Sequence, residues 1–322
     1  MKEEASYVRT LNGYYDNMLD EIQKEIDSFY AKYAAKEGIT LAEARKRVSQ
    51  LDMDEYERKA KKYVKDKDLS PQANKEMRLY NLTMKVNRLE MLKARIGMVM
   101  VENFDGMNNF YEDVLNERAM DEYKRQAGIL GEMVKDAERK AHALVNASFK
   151  SAQGSYGFSD VLWTQQTFLK AELSKLLQQG IMQGKGPREL APDLRKAFGV
   201  SRYAAERLMR TELARVQIEA QKQSFNANGY DEYQFITLSS APYTKSRVCP
   251  ICAALNGKVF KVKDMKVGEN APPMHPNCRC SIAAYMDPDE FEQWMNTQRK
   301  NKVGEKGINM PTELDDEKVL RY

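Results

Sequence analysis

The sequence predicts an α+β chain: mostly helical, with a long N-terminal helical bundle or stalk followed by a small mixed C-terminal domain. Three observations carry that expectation. Helical periodicity repeats up to Asn228-Gly229, β-forming residues appear directly after it, and all four cysteines fall between Cys249 and Cys280. At 322 residues the chain exceeds what one compact domain usually holds. A hydrophobic fraction of 42% is enough for a core, while 30% charged residues and a mean hydropathy of −0.68 point to long, surface-rich helices.

Taken in order, Thr40 followed by Glu43 forms a capping-box pattern that opens LAEARKRVSQL. Ser70 with Pro71 predicts an N-cap and a proline at the first helical position. Leu79, Leu82, Val86, Leu89, Ile96 and Met100 then recur at helical spacing, with Lys93 interrupting the seam. Such a helix packs in a hairpin or bundle with its neighbours, or between subunits. Asp105-Gly106 is expected to punctuate the chain, and residues 151–158 to form a linker. Helix resumes near Ser159. The run GIMQGKGPRELAPDLRKAFGV predicts a turn, a short helix from Pro187 and a second turn. Ser201 is then expected to cap a further helix that stops at Asn228-Gly229. Beyond it, YQFITLS and residues 258–262 read as strands, the second entered through the tight-turn pair Asn256-Gly257. A final short helix around Phe291 and Trp294 and a loose polar tail from Arg299 complete the pattern. The expected division is 1–150, an extended helical region; 151–229, a second helical part; 230–285, a small α+β module; and 286–322, a short helix and tail.

A net charge of +4 is too weak to argue for nucleic acid by itself. No apolar run approaches bilayer-spanning length, so no membrane partner is expected. The opening MKEEASYVRTLNGYY carries acids where a secretion signal would be basic. A cytoplasm-like compartment is therefore expected, one that keeps clustered cysteines as thiols and favours metal over disulfides.

The chemistry concentrates in Cys249-Pro250-Ile251-Cys252 and His275-Pro276-Asn277-Cys278-Arg279-Cys280. Two cysteines separated by two residues form a knuckle whose thiolates converge on one ion, and His-x-x-Cys supplies a second pair to complete a tetrahedron. Thiolate with imidazole suits one structural zinc ion better than magnesium, calcium or an iron–sulfur cluster. Five donors compete for four places. The favoured set is Cys249, Cys252, His275 and Cys278, with Cys280 able to displace His275 or Cys278. The C-terminal domain of the predicted fold is thus zinc-binding.

A catalytic zinc keeps an open position, whereas these thiolates would close the shell. The chain lacks His-Glu-x-x-His, and its Cys-x-x-Cys precedes the histidine, the reverse of the deaminase order. No catalytic or organic-cofactor residue is assigned, and His142 is given no role. Lys258, Lys261, Lys263, Lys266 and Arg279 surround the site, but Asp264 and Glu269 interleave, so a solvated face explains them as well as nucleic acid does.

Arg210-Thr211-Glu212, preceded by RYAAERLM, resembles the helix signature of the Mu F-like minor head proteins of tailed bacteriophages. The stretches SRVCPICAALNGKVF and APPMHPNCRC resemble that family's C-terminal signature, and the likeness covers roughly residues 160–285. Members often carry Asp where this chain has Thr244-Lys245-Ser246, and Asp in place of Asn256. The resemblance implies a minor component of the phage head, made in the host cytoplasm and housed in the virion, in the head interior or at the portal vertex. It implies portal and major capsid proteins as partners, with DNA as a further one, and a role in head assembly, DNA packaging or delivery. The family has also been likened to ADP-ribosyltransferases, so an enzyme or virion-borne effector is the alternative. Arg210 and Glu212 lie two apart on a helix and face different ways, and an Arg210–Glu206 ion pair is the simpler expectation.

Overall fold

The computed structural model describes residues 2–33, 50–65, 70–74, 88–147, 149–151, 154–237 and 248–287. The expected capping box at Thr40, the start of the seam at Leu79, Leu82 and Val86, the Thr244-Lys245-Ser246 stretch, and the helix and tail beyond residue 287 lie outside them. The observed architecture is mostly helical with one small three-stranded sheet, as an α+β fold requires.

The helical body comprises α1 (Lys2–Tyr33), α2 (Gln50–Lys65), α3 (Arg88–Leu130), α4 (Ala137–Val145), α5 (Phe158–Met182) and α6 (Pro187–Ala227). Leu11, Tyr15, Met18, Ile22 and Ile26 form one buried stripe of α1, spaced by three or four residues. It meets α3 and α6, and α5 covers α3 and α6 in turn, so one continuous core runs from Leu11 to Ala220. Ser70 caps as expected, its Oγ accepting from the Ala73 N–H at 3.1 Å. At the starts of α5 and α6, Asp160 and Glu189 reach back to the Gly157 and Gly186 N–H groups at 2.9 and 2.8 Å.

Three sequence expectations are corrected here. Asp105-Gly106 does not interrupt the chain, because α3 runs unbroken through it. Asp105 is buried and accepts from the Ser70 N–H at 3.3 Å. Gly106 lets the Tyr14 ring approach so closely that a Cβ there would stand 2.7 Å from it. Residues 151–158 are not a plain linker: β1 (Phe149–Ser151) and β2 (Gly154–Tyr156) pair antiparallel, and α5 starts at Phe158. The short helix, turn and capped helix expected after Pro187 are one 41-residue helix. Ser201 lies inside it, buried, with its Oγ 2.9 Å from the Tyr15 hydroxyl. Pro192 also lies within α6, on an exposed face where water can serve the carbonyl left without its N–H partner.

Asn228-Gly229 ends α6 as expected, with Gly229 at φ 74°. Strand β3 (Glu232–Ile236) follows and forms the middle of a sheet ordered β4-β3-β5, with β4 spanning Val259–Lys261 and β5 Ser281–Tyr285. Both pairings are antiparallel. Strand β5 and the six-residue helix α7 (Pro250–Leu255) were not anticipated. Tyr233 and Phe235 point inward from β3. Tyr233 packs with Phe260, Val262, Met265, Ile282 and two residues of α6, Ile218 and Phe225, so the sheet is seated on the C-terminal end of that helix. Cross-strand pairs Tyr233–Phe260 and Glu232–Lys261 (2.7 Å) hold the register.

Candidate metal centre

Cys249 is the N-cap of α7, with Pro250 at the first helical position. Its Sγ accepts from the Cys252 N–H at 3.4 Å, a contact that folds the two sulfurs toward one point. The turn Asn256-Gly257 follows, with Gly257 at φ 76°. The Asn256 side-chain oxygen accepts both the N–H and the hydroxyl of Thr237, at 2.9 and 3.0 Å, tying the end of β3 to the knuckle. A carboxylate oxygen would accept these bonds equally well, so Asn in place of Asp leaves this structural role intact.

The second pair sits on the turn His275–Cys278. Pro276 and the positive φ of Asn277 (61°) suit a type II turn, closed by the Cys278 N–H on the His275 carbonyl at 3.0 Å. His275 Nδ1 lies 2.9 Å from the Pro276 carbonyl oxygen. A carbonyl can only accept, so Nδ1 carries the proton and Nε2 is left as a lone-pair donor. That Nε2 is 3.5 Å from Cys252 Sγ, and Cys252 Sγ is 3.9 Å from Cys278 Sγ. A tetrahedral ion with bonds of about 2.3 Å to sulfur and about 2.0 Å to nitrogen separates its ligands by roughly 3.5–3.8 Å. These spacings fit one such ion.

All five donors named from the sequence are brought together. Cys249, Cys252 and His275 form one triad, Cys252, Cys278 and Cys280 another, and within each the donor atoms lie within 4.8 Å of one another. Cys252, 1% exposed, belongs to both. With Cys278 and Phe235 it forms a miniature core. Burial pushes the Cys252 thiol far above its ordinary range, with the Cys249, Cys280 and Cys278 sulfurs adding to the effect. Burial, aided by Cys278, pushes Cys280 up to about 11. The Cys252 N–H instead lowers Cys249. Crowded thiols of this kind resist ionising alone, and a divalent cation supplies the positive charge that makes them thiolates. The cluster could therefore hold a metal ion.

The Arg210-Thr211-Glu212 helix reaches this site through its middle residue. Thr211 Oγ1 donates to the Arg207 carbonyl at 2.8 Å and accepts the Asn277 N–H at 3.3 Å. This clasp between α6 and the second turn escaped sequence reasoning: the partners are 66 residues apart and no spacing rule relates them. Arg210 pairs with Glu206 at 3.3 Å, as expected. Glu212 is buried on another side of α6 against Arg215, at 2.8 Å, whose Nη1 in turn donates to the Leu144 carbonyl. Arg210 and Glu212 therefore do not share a site. His142 is exposed on α4. Lys261 and Lys266 pair with Glu232 and Glu269, in keeping with a solvated face. No helix among the described residues is long and apolar enough to cross a membrane.

Residues 171–283 match the family described as phage Mu protein F like protein. The matched segment spans much of α5, all of α6 and nearly all of the sheet module, including the five donors and Arg210-Thr211-Glu212, so this stretch is Mu F-like. It covers about a third of the chain. No curated protein and no solved structure gave a significant match.

Proposed function

We propose that this chain is a phage minor head protein whose Mu F-like segment is held together by one structural zinc ion. The observation that carries this reading is a coincidence: the five thiol and imidazole donors lie within the matched family segment and converge there. Sulfur and imidazole donors in tetrahedral spacing favour zinc. The ligands are Cys249, Cys252, His275 and Cys278, with Cys280 as the reserve thiol. A shell closed by four protein ligands holds loops in place, which suits assembly rather than turnover. The protein then works in head assembly and in DNA packaging or delivery, in contact with the portal and major capsid proteins and with DNA nearby. Its place is the virion, in the head interior or at the portal vertex, after synthesis in the host cytoplasm.

Two measurements test this. Elemental analysis of the purified full chain should find about one zinc per molecule, with Cys280→Ser retaining it and Cys252→Ser, the thiol common to both donor triads, losing it. Co-expression with the portal and major capsid proteins of its phage should yield heads that carry the chain through sedimentation. Heads that form normally and exclude it would defeat the assembly role whatever the metal content.

A further inference from the structure

The four cysteines are free thiols, and solvent reaches them unequally. Cys252 and Cys278 are buried, whereas Cys249 and Cys280 are half-buried at the rim. In the donor triad that contains Cys249, the one other cysteine is Cys252, His275 being the third member. We propose that Cys249 and Cys252 form a reversible redox pair: a peroxide oxidises Cys249, Cys252 closes a disulfide with it, and the centre exchanges a metal ion for a covalent bond.

The geometry of α7 carries this. Cys249 is its N-cap and Cys252 its third residue, and the Ala253 N–H closes that turn on the Cys249 carbonyl at 2.9 Å. Residues three apart on a helical turn have Cα atoms about 5 Å apart, inside the range of roughly 4.4–6.8 Å that disulfides span. The Cys252 N–H contact to Cys249 Sγ, 3.4 Å long, draws that sulfur over the turn, and the two sulfurs stand within 4.8 Å of each other. Closing the bond therefore asks for side-chain rotation, not backbone movement. Accessibility sets the order of events. Cys249 meets the oxidant, and Cys252, sealed beneath it against Phe235, is the resolving thiol. The sulfurs of Cys252 and Cys278 are 3.9 Å apart, but neither residue is open to solvent.

The Cys249 sulfur attacks one peroxide oxygen. The O–O bond breaks, a sulfenic acid forms, and the departing hydroxide leaves as water with the thiol proton. The Cys252 sulfur then attacks the Cys249 sulfur; S–S forms, S–O breaks, and the second oxygen leaves as water with the Cys252 proton. Two thiols lose two electrons, and the peroxide gains them. Where an ion is bound, solvent supplies both protons and the hydrated divalent cation departs. Cys252 belongs to both triads, so its capture removes the donor that links them. His275, Cys278 and Cys280 remain, too few to close a four-ligand shell. The release of metal rests on the zinc reading above; the disulfide itself does not. On the head-protein reading, the pair passes from a reducing cytoplasm to an oxidising medium when particles are released, and the disulfide marks that passage.

The experiment adds hydrogen peroxide stepwise to the full-length protein after removal of reductant. Remaining thiols are blocked and tryptic peptides mapped by mass spectrometry, while a chromogenic chelator follows released zinc. Cleavage after Arg247, Lys258 and Arg279 keeps Cys249 and Cys252 on one peptide and parts Cys278 from Cys280. The expected product is the 248–258 peptide lighter by two hydrogens, formed together with the release of bound zinc and reversed by dithiothreitol. In Cys252→Ser, Cys249 should stop at the sulfenic acid and be captured by dimedone. A chain that carries no ion yet forms this bond defeats the zinc reading and supports the redox pair. A disulfide that joins Cys280 to either buried cysteine instead, or sulfinic acids accumulating with no disulfide, overturns the proposal even where zinc is present.

Discussion

The helical body and the sheet module are stabilised in different ways. In the body, α1, α3, α5 and α6 bury Tyr15, Phe104, Phe198, Leu162 and many other large side chains in one core. In the module, three short strands bury few residues, and two of the largest contacts, Ile218 and Phe225, are borrowed from α6. Around Phe235 the buried partners are Cys252 and Cys278, with Val248, Leu255, Phe260 and Met274 packed at their edge. A layer that thin needs cross-links, as small domains generally do. The contrast teaches that the same side chains can be candidate ligands and core at once, so removing an ion bound there would also disturb packing.

The largest expected effect is metal removal. A chelator, or Cys252→Ser, should withdraw stabilisation on the order of 10 kcal/mol from the module while the body persists. Amide exchange over residues 232–285 should become fast, with helical circular dichroism nearly unchanged; a module still protected after chelation would erase the contrast. The mirror experiment is Phe198→Ala, which removes a fully buried ring set edge-on to Tyr15. It should cost the body about 3–5 kcal/mol in a denaturant titration, without releasing metal.

Alkali provides a smaller lever, acting on the body. Tyr15, Tyr30, Tyr56, Tyr63 and Tyr123 are pushed up to about 12, chiefly by burial. An unfolded tyrosine releases its proton near its ordinary value of 10.0, whereas the buried ones hold it to about 12. Between those values the unfolded chain binds fewer protons, so stability falls as pH rises. Helical circular dichroism followed from pH 9 to 12 should show cooperative loss of the body within this window. A metal ion held by the module would respond in the opposite direction: protons would compete for its thiolate and imidazole ligands, so acid should release it. The smallest expected effect sharpens the joint between the two regions. Thr211→Val deletes the hydroxyl that accepts the Asn277 N–H and should cost about 1 kcal/mol, seen as faster exchange around residues 275–280 alone. An equal loss throughout α6 would show that Thr211 serves the helix rather than the clasp.

Much of the candidate site was legible because ligand spacing is local. Cys-x-x-Cys and His-x-x-Cys each fit a single turn, and their residue types specify soft-metal chemistry before any fold is known. Strands β3 and β4 were legible for the same reason: alternation after Gly229 marks the first and the turn pair Asn256-Gly257 opens the second, and both signals act within a few residues. Strand β5 was not. Residues 281–285, Ser-Ile-Ala-Ala-Tyr, have weak β-propensity, and their extension comes from pairing with β3 along its whole length. Nor was α7, whose six residues are too few to show helical periodicity.

By itself, then, the sequence determined a helical first part, its stop at Asn228-Gly229, the change to strands, and the five donors of the cysteine cluster. Only the tertiary structure decided that α3 passes straight through Asp105-Gly106 and that α6 passes straight through Gly199 and Ser201. A glycine within a helix costs about 1 kcal/mol, less than the roughly 1.5–3 kcal/mol returned by burying one large apolar side chain nearby. Burial of Phe104 and Phe198 beside Tyr15 therefore outweighs the local preference for a break. The Thr211–Asn277 clasp was likewise decided in three dimensions. It joins residues far apart in the chain, where local spacing carries no information about contact.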